Sequence, residues 1–205
     1  MRIAEYVSDR DWYWYLQFHV QWGRLYSRIW DSILAAQASQ VGNIEAIEAL
    51  DDSMVRLSLS IPFFLDWQPY SSSTVSERKA RLQLLIFTRI NVLRLLIRGS
   101  NLRYNHSLFS PSDTTHISMD WEYNMRFCQD LATSTIDAIV TYMRAWPFKR
   151  AMGIYSTLVL LQCLYFIVQM TEYRPPPNGD FLRHTHCKTA VLCLQGMAAT
   201  GLHIA

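Results

Sequence analysis

Glycine and proline are scarce in this sequence, and so are charged side chains. Seven glycines and seven prolines among 205 residues are few for the many turns of a β-rich fold. Charged residues make up only 18% of the chain and hydrophobic residues 50%, a composition that argues against disorder and calls for a large core or a membrane role. The net charge of +2 is too small to imply nucleic-acid binding by itself.

Cysteine is also rare, and the four cysteines form no Cys-x-x-Cys pair. Cys128, Cys163, Cys187 and Cys193 each lie in an apolar helical pattern, where a buried free thiol is the common case. This usage fits a reducing intracellular compartment. The first six residues lack the apolar run of a signal peptide.

Motifs of familiar enzymes are missing from the chain. The sequence has no glycine-rich phosphate loop, no Gly-x-Ser-x-Gly elbow and no His-Glu-x-x-His. Its sparse carboxylates fall mainly at predicted helix starts, where capping explains them. His19 has Tyr15 and Trp22 at helical spacing, but nothing in the sequence places a nucleophile beside it. We therefore expect no enzymatic activity, no catalytic residue and no cofactor.

One grouping is similar to a metal site, namely His184, His186 and Cys187. On a helix, His184 and Cys187 share a face while His186 points elsewhere, and a zinc ion needs four ligands, or three and a water. Because no fourth ligand is evident, we interpret these residues as structural and predict no metal. His106 and His116 are interpreted as solvated loop histidines.

The most regular apolar pattern lies at residues 76–99 and predicts a long helix. Ser76 suits the N-cap, and Gly99 suits the left-handed residue after the last turn. Apolar residues recur at steps of three and four: Leu82, Leu85, Ile86, Ile90, Leu93, Leu96 and Ile97. Further apolar residues lie off this stripe, so we predict that the helix is central and has neighbours on several sides. Its basic residues spread around the helix, which favours solvent-facing edges and internal ion pairs over a nucleic-acid surface: Arg78, Lys79, Arg81, Arg89, Arg94, Arg98 and Arg103.

The same periodicity predicts helices over about residues 8–38, 44–61, 119–146 and 151–171, and a last helix from Asp180. Pro62 and Pro147 end two of them, and residues 100–118 are predicted to form a loop. The aromatic stripe of the first helix is interpreted as core packing rather than a ligand cage. The sequence therefore predicts an all-α bundle of about six or more helices around a central leucine-rich helix, in one domain over residues 1–205.

Residues 151–171 carry no charge, between Lys149-Arg150 on one side and Glu172 on the other. That length meets the requirement of roughly 20 residues for a membrane span. The stretch also contains Gln162 and Gln169, and a core helix surrounded on all sides has the same composition. We favour the buried helix, and a membrane-associated helical protein with a span near 151–171 stays the alternative interpretation.

Five segments, taken in order, bear on the kind of protein this is. They are Trp-Gly-Arg-Leu-Tyr-Ser-Arg-Ile-Trp at 22–30, an amphipathic helix at 44–62 that runs into proline, the leucine-rich helix at 81–98, and the helices at 128–142 and 155–168. Their order resembles the fungal-specific transcription factor domain, the helical region that accompanies zinc binuclear cluster DNA-binding modules. The likeness covers about residues 10–200. The chain departs from the family in lacking its six-cysteine cluster and in having Gly-Ser at 99–100, where the family often has His-Arg-Pro around the end of the helix.

The resemblance implies a regulatory region that acts in the nucleus through ligand sensing, inhibition or dimerisation. The partners that it implies are a small-molecule effector and either a second copy of the chain or transcriptional co-regulators. It implies that DNA is contacted only by a module outside this chain. Our preference for a buried helix at 151–171 predicts, separately, that no membrane is bound. A bundle with aromatic-lined gaps could bind a metabolite and so shift an activating surface.

Overall fold

The computed structural model describes residues 9–34, 44–68, 75–108, 119–146 and 153–173, together with Lys188, 190–192 and Gln195. It contains helices α1 (Asp9–Ile29), α2 (Ile44–Leu59), α3 (Glu77–Leu108), α4 (Met119–Ala145) and α5 (Gly153–Tyr173). A π-helical turn, Trp30–Leu34, continues α1, and a 3₁₀ turn, Phe63–Leu65, follows α2. The described residues near 190 are helical too, and no strand occurs in any of these ranges. The predicted all-α bundle is confirmed.

The leucine-rich helix α3 is the centre of the bundle, as predicted. It contacts α1 and α2, which pack on each other, and also α4 and α5, which form a second pair. One apolar cluster joins α3 to α1 and α2 through Ile86, Leu93 and Ile97, and another joins it to α4 and α5 through Leu84 and Leu95. Because α3 is buried between two helix pairs, it needs apolar residues on two opposite sides, which explains why its apolar pattern exceeds one stripe.

The start of α3 also follows the prediction. The backbone N–H of Lys79 donates to Ser76 Oγ at 3.4 Å, the geometry of an N-cap hydrogen bond. Glu77, in the first turn, is buried and accepts a 2.5 Å hydrogen bond from the hydroxyl of Tyr142 on α4. The cap therefore also fixes α4 against the beginning of the central helix.

The predicted end of α3 at Gly99 is wrong, and so is the predicted loop over residues 100–108. The helix continues to Leu108, which places His106 on a helix, whereas His116 lies outside the described residues. Gly99 is buried, and a Cβ atom added there would collide with the ring of Phe166 on α5. Glycine is therefore required for the close approach of α5, a contact between distant segments that a local helix-end pattern does not reveal.

Helix α5 differs from the fully surrounded helix that the sequence predicted. Ser156, Leu160 and Cys163 lie on its buried face. The opposite side exposes four apolar residues at helical spacing: Leu158 (61%), Leu161 (51%), Tyr165 (50%) and Val168 (49%). Among the described helices, none combines the length and the apolar character that crossing a membrane requires.

Helix α1 places fewer of its aromatic residues in the core than predicted. Tyr15 and Phe18 are buried. Trp12 and, in the π-helical turn that continues α1, Trp30 belong to the aromatic stripe by their spacing but are 51% and 50% exposed. Among the described elements, α1 packs mainly against α2 and α3, so its buried face is narrower than its aromatic stripe. Part of that stripe instead forms stacked pairs along the helix surface, Trp22 with Tyr26 and Tyr26 with Trp30.

Candidate functional site

Two clusters of polar side chains lie against α3, each centred on arginine. Arg94 and Arg98 reach side chains of α2 and α4, and we call this cluster the α2–α4 seam. Arg89 reaches side chains of α1 and α5, and we call this cluster the α1–α5 seam. Arg94 and Arg98 are four positions apart on α3 and therefore share a face. Arg89 lies five positions before Arg94, a spacing that turns its side chain to another side of the helix.

The α2–α4 seam is built on the buried carboxylate of Asp51. Arg94 donates from Nε to one oxygen at 2.7 Å and from Nη2 to the other at 3.1 Å. Arg98 donates to Asp51 Oδ2 from Nε at 2.9 Å and from Nη2 at 2.7 Å, and its Nη1 donates to Asn124 at 2.8 Å. Both guanidinium groups also lie within 5 Å of the ring centroid of Phe127, at 4.7 and 4.9 Å.

The electrostatics of this seam are dominated by the two arginines. Burial alone would raise the pKa of Asp51, but hydrogen bonds and charge from Arg94 and Arg98 outweigh it and hold the pKa below the ordinary 3.8. The carboxylate is therefore ionised at neutral pH and joins α2 to α3, while Asn124 extends the network to α4. All of the described polar groups of Asp51 have partners, so this seam is a structural joint rather than an open site.

The α1–α5 seam has a different balance of groups. Nη1 of Arg89 lies 2.9 Å from His19 Nδ1 and also contacts Nε2 of the same ring. The guanidinium carbon is 5.4 Å from the ring centroid of Trp22. From α5, the hydroxyl of Tyr155 lies 2.7 Å from the Oγ1 of Thr88, and it is hydrogen-bonded to Arg89 as well.

Neither titratable partner of Arg89 supplies a negative charge. Burial, and then the charge of Arg89, lower the pKa of His19 below 6.5, so the ring is neutral at neutral pH. Burial raises the pKa of Tyr155 above 10, although Thr88 and Arg89 act in the opposite direction, so its hydroxyl stays protonated. Among the described residues, no carboxylate forms an ion pair with Arg89. Within the part of the chain that the structure describes, the positive charge of Arg89 therefore has no carboxylate partner.

A further donor in this seam lacks an acceptor. The Nε1–H group of Trp22 is buried and has no hydrogen-bond partner. A buried donor without an acceptor costs about 1–3 kcal/mol, so such groups usually have a partner. The guanidinium, which has no carboxylate partner among the described residues, and the buried indole N–H together make this seam the candidate binding site.

Two other features are weaker candidates. A cleft of about 90 Å³ lies between α1, the end of α2 and the 3₁₀ turn, with Gln17, Gln21 and Ser60 among its lining residues. It is well below the roughly 300 Å³ typical of small-molecule pockets. Cys128 and Cys163 are buried free thiols whose pKa burial raises to about 12, so neither is a nucleophile at neutral pH.

The structure assigns clear places to some of the histidines that the sequence singled out. His19 lies beside a guanidinium and three aromatic rings, those of Tyr15, Phe18 and Trp22. The group formed by His184, His186 and Cys187 lies outside the described residues. Within those that are described, no three metal-ligating side chains lie together.

Sequence reasoning missed Asp51, Asn124 and the separate environment of Arg89. A signal for the first was present, because Asp51 lies between Leu50 and Met54 on the apolar face of α2, where a lone carboxylate needs a buried cation. The expectation of internal ion pairs for the arginines of α3 is confirmed for Arg94 and Arg98.

Comparisons with models of protein families, with curated proteins and with solved structures found no match to this chain.

Proposed function

We propose that this chain is the regulatory region of a fungal transcription factor and controls transcription in the nucleus without a DNA-binding module of its own. In this proposal it acts through an effector, a second copy or co-regulators. DNA is contacted by a module outside the chain.

One observation carries the proposal. The five segments that resemble the family fall on five different helices of one bundle, and the leucine-rich segment is the helix that contacts the other four. Each segment alone is a degenerate pattern that many amphipathic helices would match. Their placement around a common central helix supports the interpretation that they form one regulatory unit rather than five unrelated likenesses.

A tethering experiment tests this proposal. The chain is fused to an unrelated DNA-binding module, and transcription is measured from a reporter that carries the sites of that module. The fusion should raise or lower transcription relative to the DNA-binding module alone. The matched control is Leu84→Asp, which introduces a carboxylate at a fully buried position of α3 and should abolish the effect by disrupting the bundle.

Two outcomes would count against the proposal. One is a folded fusion, present in the nucleus, that leaves transcription equal to that of the DNA-binding module alone. The other is sequence-specific DNA binding by the purified, unfused chain at physiological salt, because the proposal gives all such contacts to a separate module.

A further inference from the structure

We propose that the α1–α5 seam binds a monocarboxylate with an apolar body, through the guanidinium of Arg89 and the Nε1–H of Trp22. This inference does not depend on the proposed function, because purified chain either binds such a ligand or does not, whichever process it serves.

The α1–α5 seam contains hydrogen-bond donors that are not all used. Arg89 has five N–H groups, and His19 and Tyr155 engage only some of them. The Nε1–H of Trp22 is buried without an acceptor. The hydroxyl of Thr88 donates to the carbonyl oxygen of Leu84, so the hydroxyl of Tyr155 donates to Thr88 and is already used. The spare donors therefore come from α1 and α3, and the seam has few acceptors among the described residues. A carboxylate accepts several hydrogen bonds through its two oxygens and suits this arrangement.

The groups around Arg89 determine the charge of the seam. The groups that surround Arg89 are His19 and Tyr15 from α1, Tyr155 from α5, and Arg81 further along α3. His19, Tyr15 and Tyr155 are neutral at neutral pH, and Arg81 pairs with Glu77. Among the described residues one positive charge therefore remains, and a ligand with a single negative charge would compensate it. The α2–α4 seam provides a comparison, because there the chain itself supplies the carboxylate of Asp51.

Aromatic and aliphatic side chains border the seam. Trp22 lies against the guanidinium, and Tyr15 packs against His19 with ring centroids 4.6 Å apart. Leu85 of α3, four residues before Arg89, is only partly buried and packs against both apolar clusters. An anion that carries an aromatic or aliphatic body gains contact with these side chains, whereas a strongly hydrated inorganic ion such as phosphate does not.

The test is calorimetric titration of the purified full chain with phenylacetate and hexanoate. Phenylacetamide, which has the same body without the charge, and inorganic phosphate, which has charge without the body, are the comparison probes. We expect saturable binding of a carboxylate, and at least about tenfold weaker binding of the two comparison probes. The amide is weaker because it lacks the charge-assisted contact, and phosphate is weaker because it lacks the apolar contact.

Variants then locate the site. Arg89→Met removes the charge and keeps the side-chain length, and it should weaken carboxylate binding at least about tenfold. Arg24→Met, an exposed arginine of α1, is the matched control and should leave binding unchanged. Should Arg89→Met not fold, as judged by circular dichroism, Trp22→Phe decides instead, because it removes the indole N–H and keeps an aromatic ring at this position.

Bound carboxylate should also raise the pKa of His19, measured from its ring signals by NMR, because a negative charge near Arg89 offsets the repulsion that now lowers it. A structural role for Arg89 alone would not produce this response. The proposal is overturned if no carboxylate binds saturably, if phosphate or the amide binds as tightly, or if binding is the same in every folded seam variant as in the unaltered chain.

Discussion

Replacement of Asp51 by Asn gives the sharpest test of how this bundle is held together. The change keeps the shape of the side chain but removes the negative charge that two guanidinium groups share in the α2–α4 seam. Arg94 and Arg98 are only 18% and 11% exposed, so neither is well solvated once its partner is lost. Removal of one partner from a buried pair typically costs about 3–5 kcal/mol, and we expect a loss in this range.

The assay is urea denaturation followed by circular dichroism. A domain is typically stable by about 5–15 kcal/mol, so the expected loss is a large share of the total. With a slope of about 1–3 kcal/mol per M urea, the midpoint should fall by about 1 M or more. The matched control is Asp52→Asn, which removes the same charge from the next, exposed residue and should change stability by no more than about 0.5 kcal/mol.

The dependence on pH gives a second check with a definite sign. The pKa of Asp51 is lowered in the folded state, so its contribution to stability is present above its unfolded pKa, near 3.8, and is lost as the pH falls through the folded value. The stability difference between the unaltered chain and Asp51→Asn should therefore shrink as the solution is acidified below about pH 4. Equal stability of the Asp51 and Asp52 variants, or a difference that does not change with pH, would refute the reasoning.

Two further predictions concern the close approach of α5 to α3 and the buried thiols. Gly99→Ala should destabilise the chain by about 1–3 kcal/mol in the same urea assay because its Cβ meets Phe166, whereas Gly23→Ala, with open space around it, should stabilise by about 0.5–1 kcal/mol. A Gly99 variant as stable as the Gly23 variant would contradict this account. Cys128 and Cys163 should resist alkylation at about pH 8 until the chain is denatured, as followed by peptide mass spectrometry, because burial raises the pKa of both thiols. Rapid labelling of either thiol in the native chain would show that it is accessible.

The helices of this fold could be predicted from the sequence because their patterns are local. The periodicity around Leu93 gave the central helix, and Ser76 gave its first residue correctly. Helix ends and exposed faces were less predictable, because they depend on what packs against them. Gly99 has the composition of a helix end, and only the ring of Phe166, distant in the sequence, explains why it lies inside one.

The same limit applies to the uncharged helix α5. Its sequence is equally apolar on both sides, so periodicity does not tell which side meets the bundle. In the structure α3 and α4 cover Leu160 and Cys163, while Leu158 and Leu161 stay exposed. Composition alone therefore predicted that α5 belongs to an apolar environment, but it did not predict how much of the helix the rest of the chain covers.

The environments of the three arginines at the candidate site could not be predicted from the sequence. Arg89, Arg94 and Arg98 lie on one helix and are chemically identical, and the sequence predicted solvent-facing edges or internal ion pairs for all three. Tertiary packing separates them. Helix α2 brings the carboxylate of Asp51 to two of them, whereas His19 of α1 and Tyr155 of α5, which contact the third, carry no negative charge. The cost of a partly buried charge depends on its partners, so the same residue type becomes a structural joint on one side of α3 and an anion site on the other. An added carboxylate should therefore act on Arg89 and leave Arg94 and Arg98, whose acceptor is already in place, unchanged.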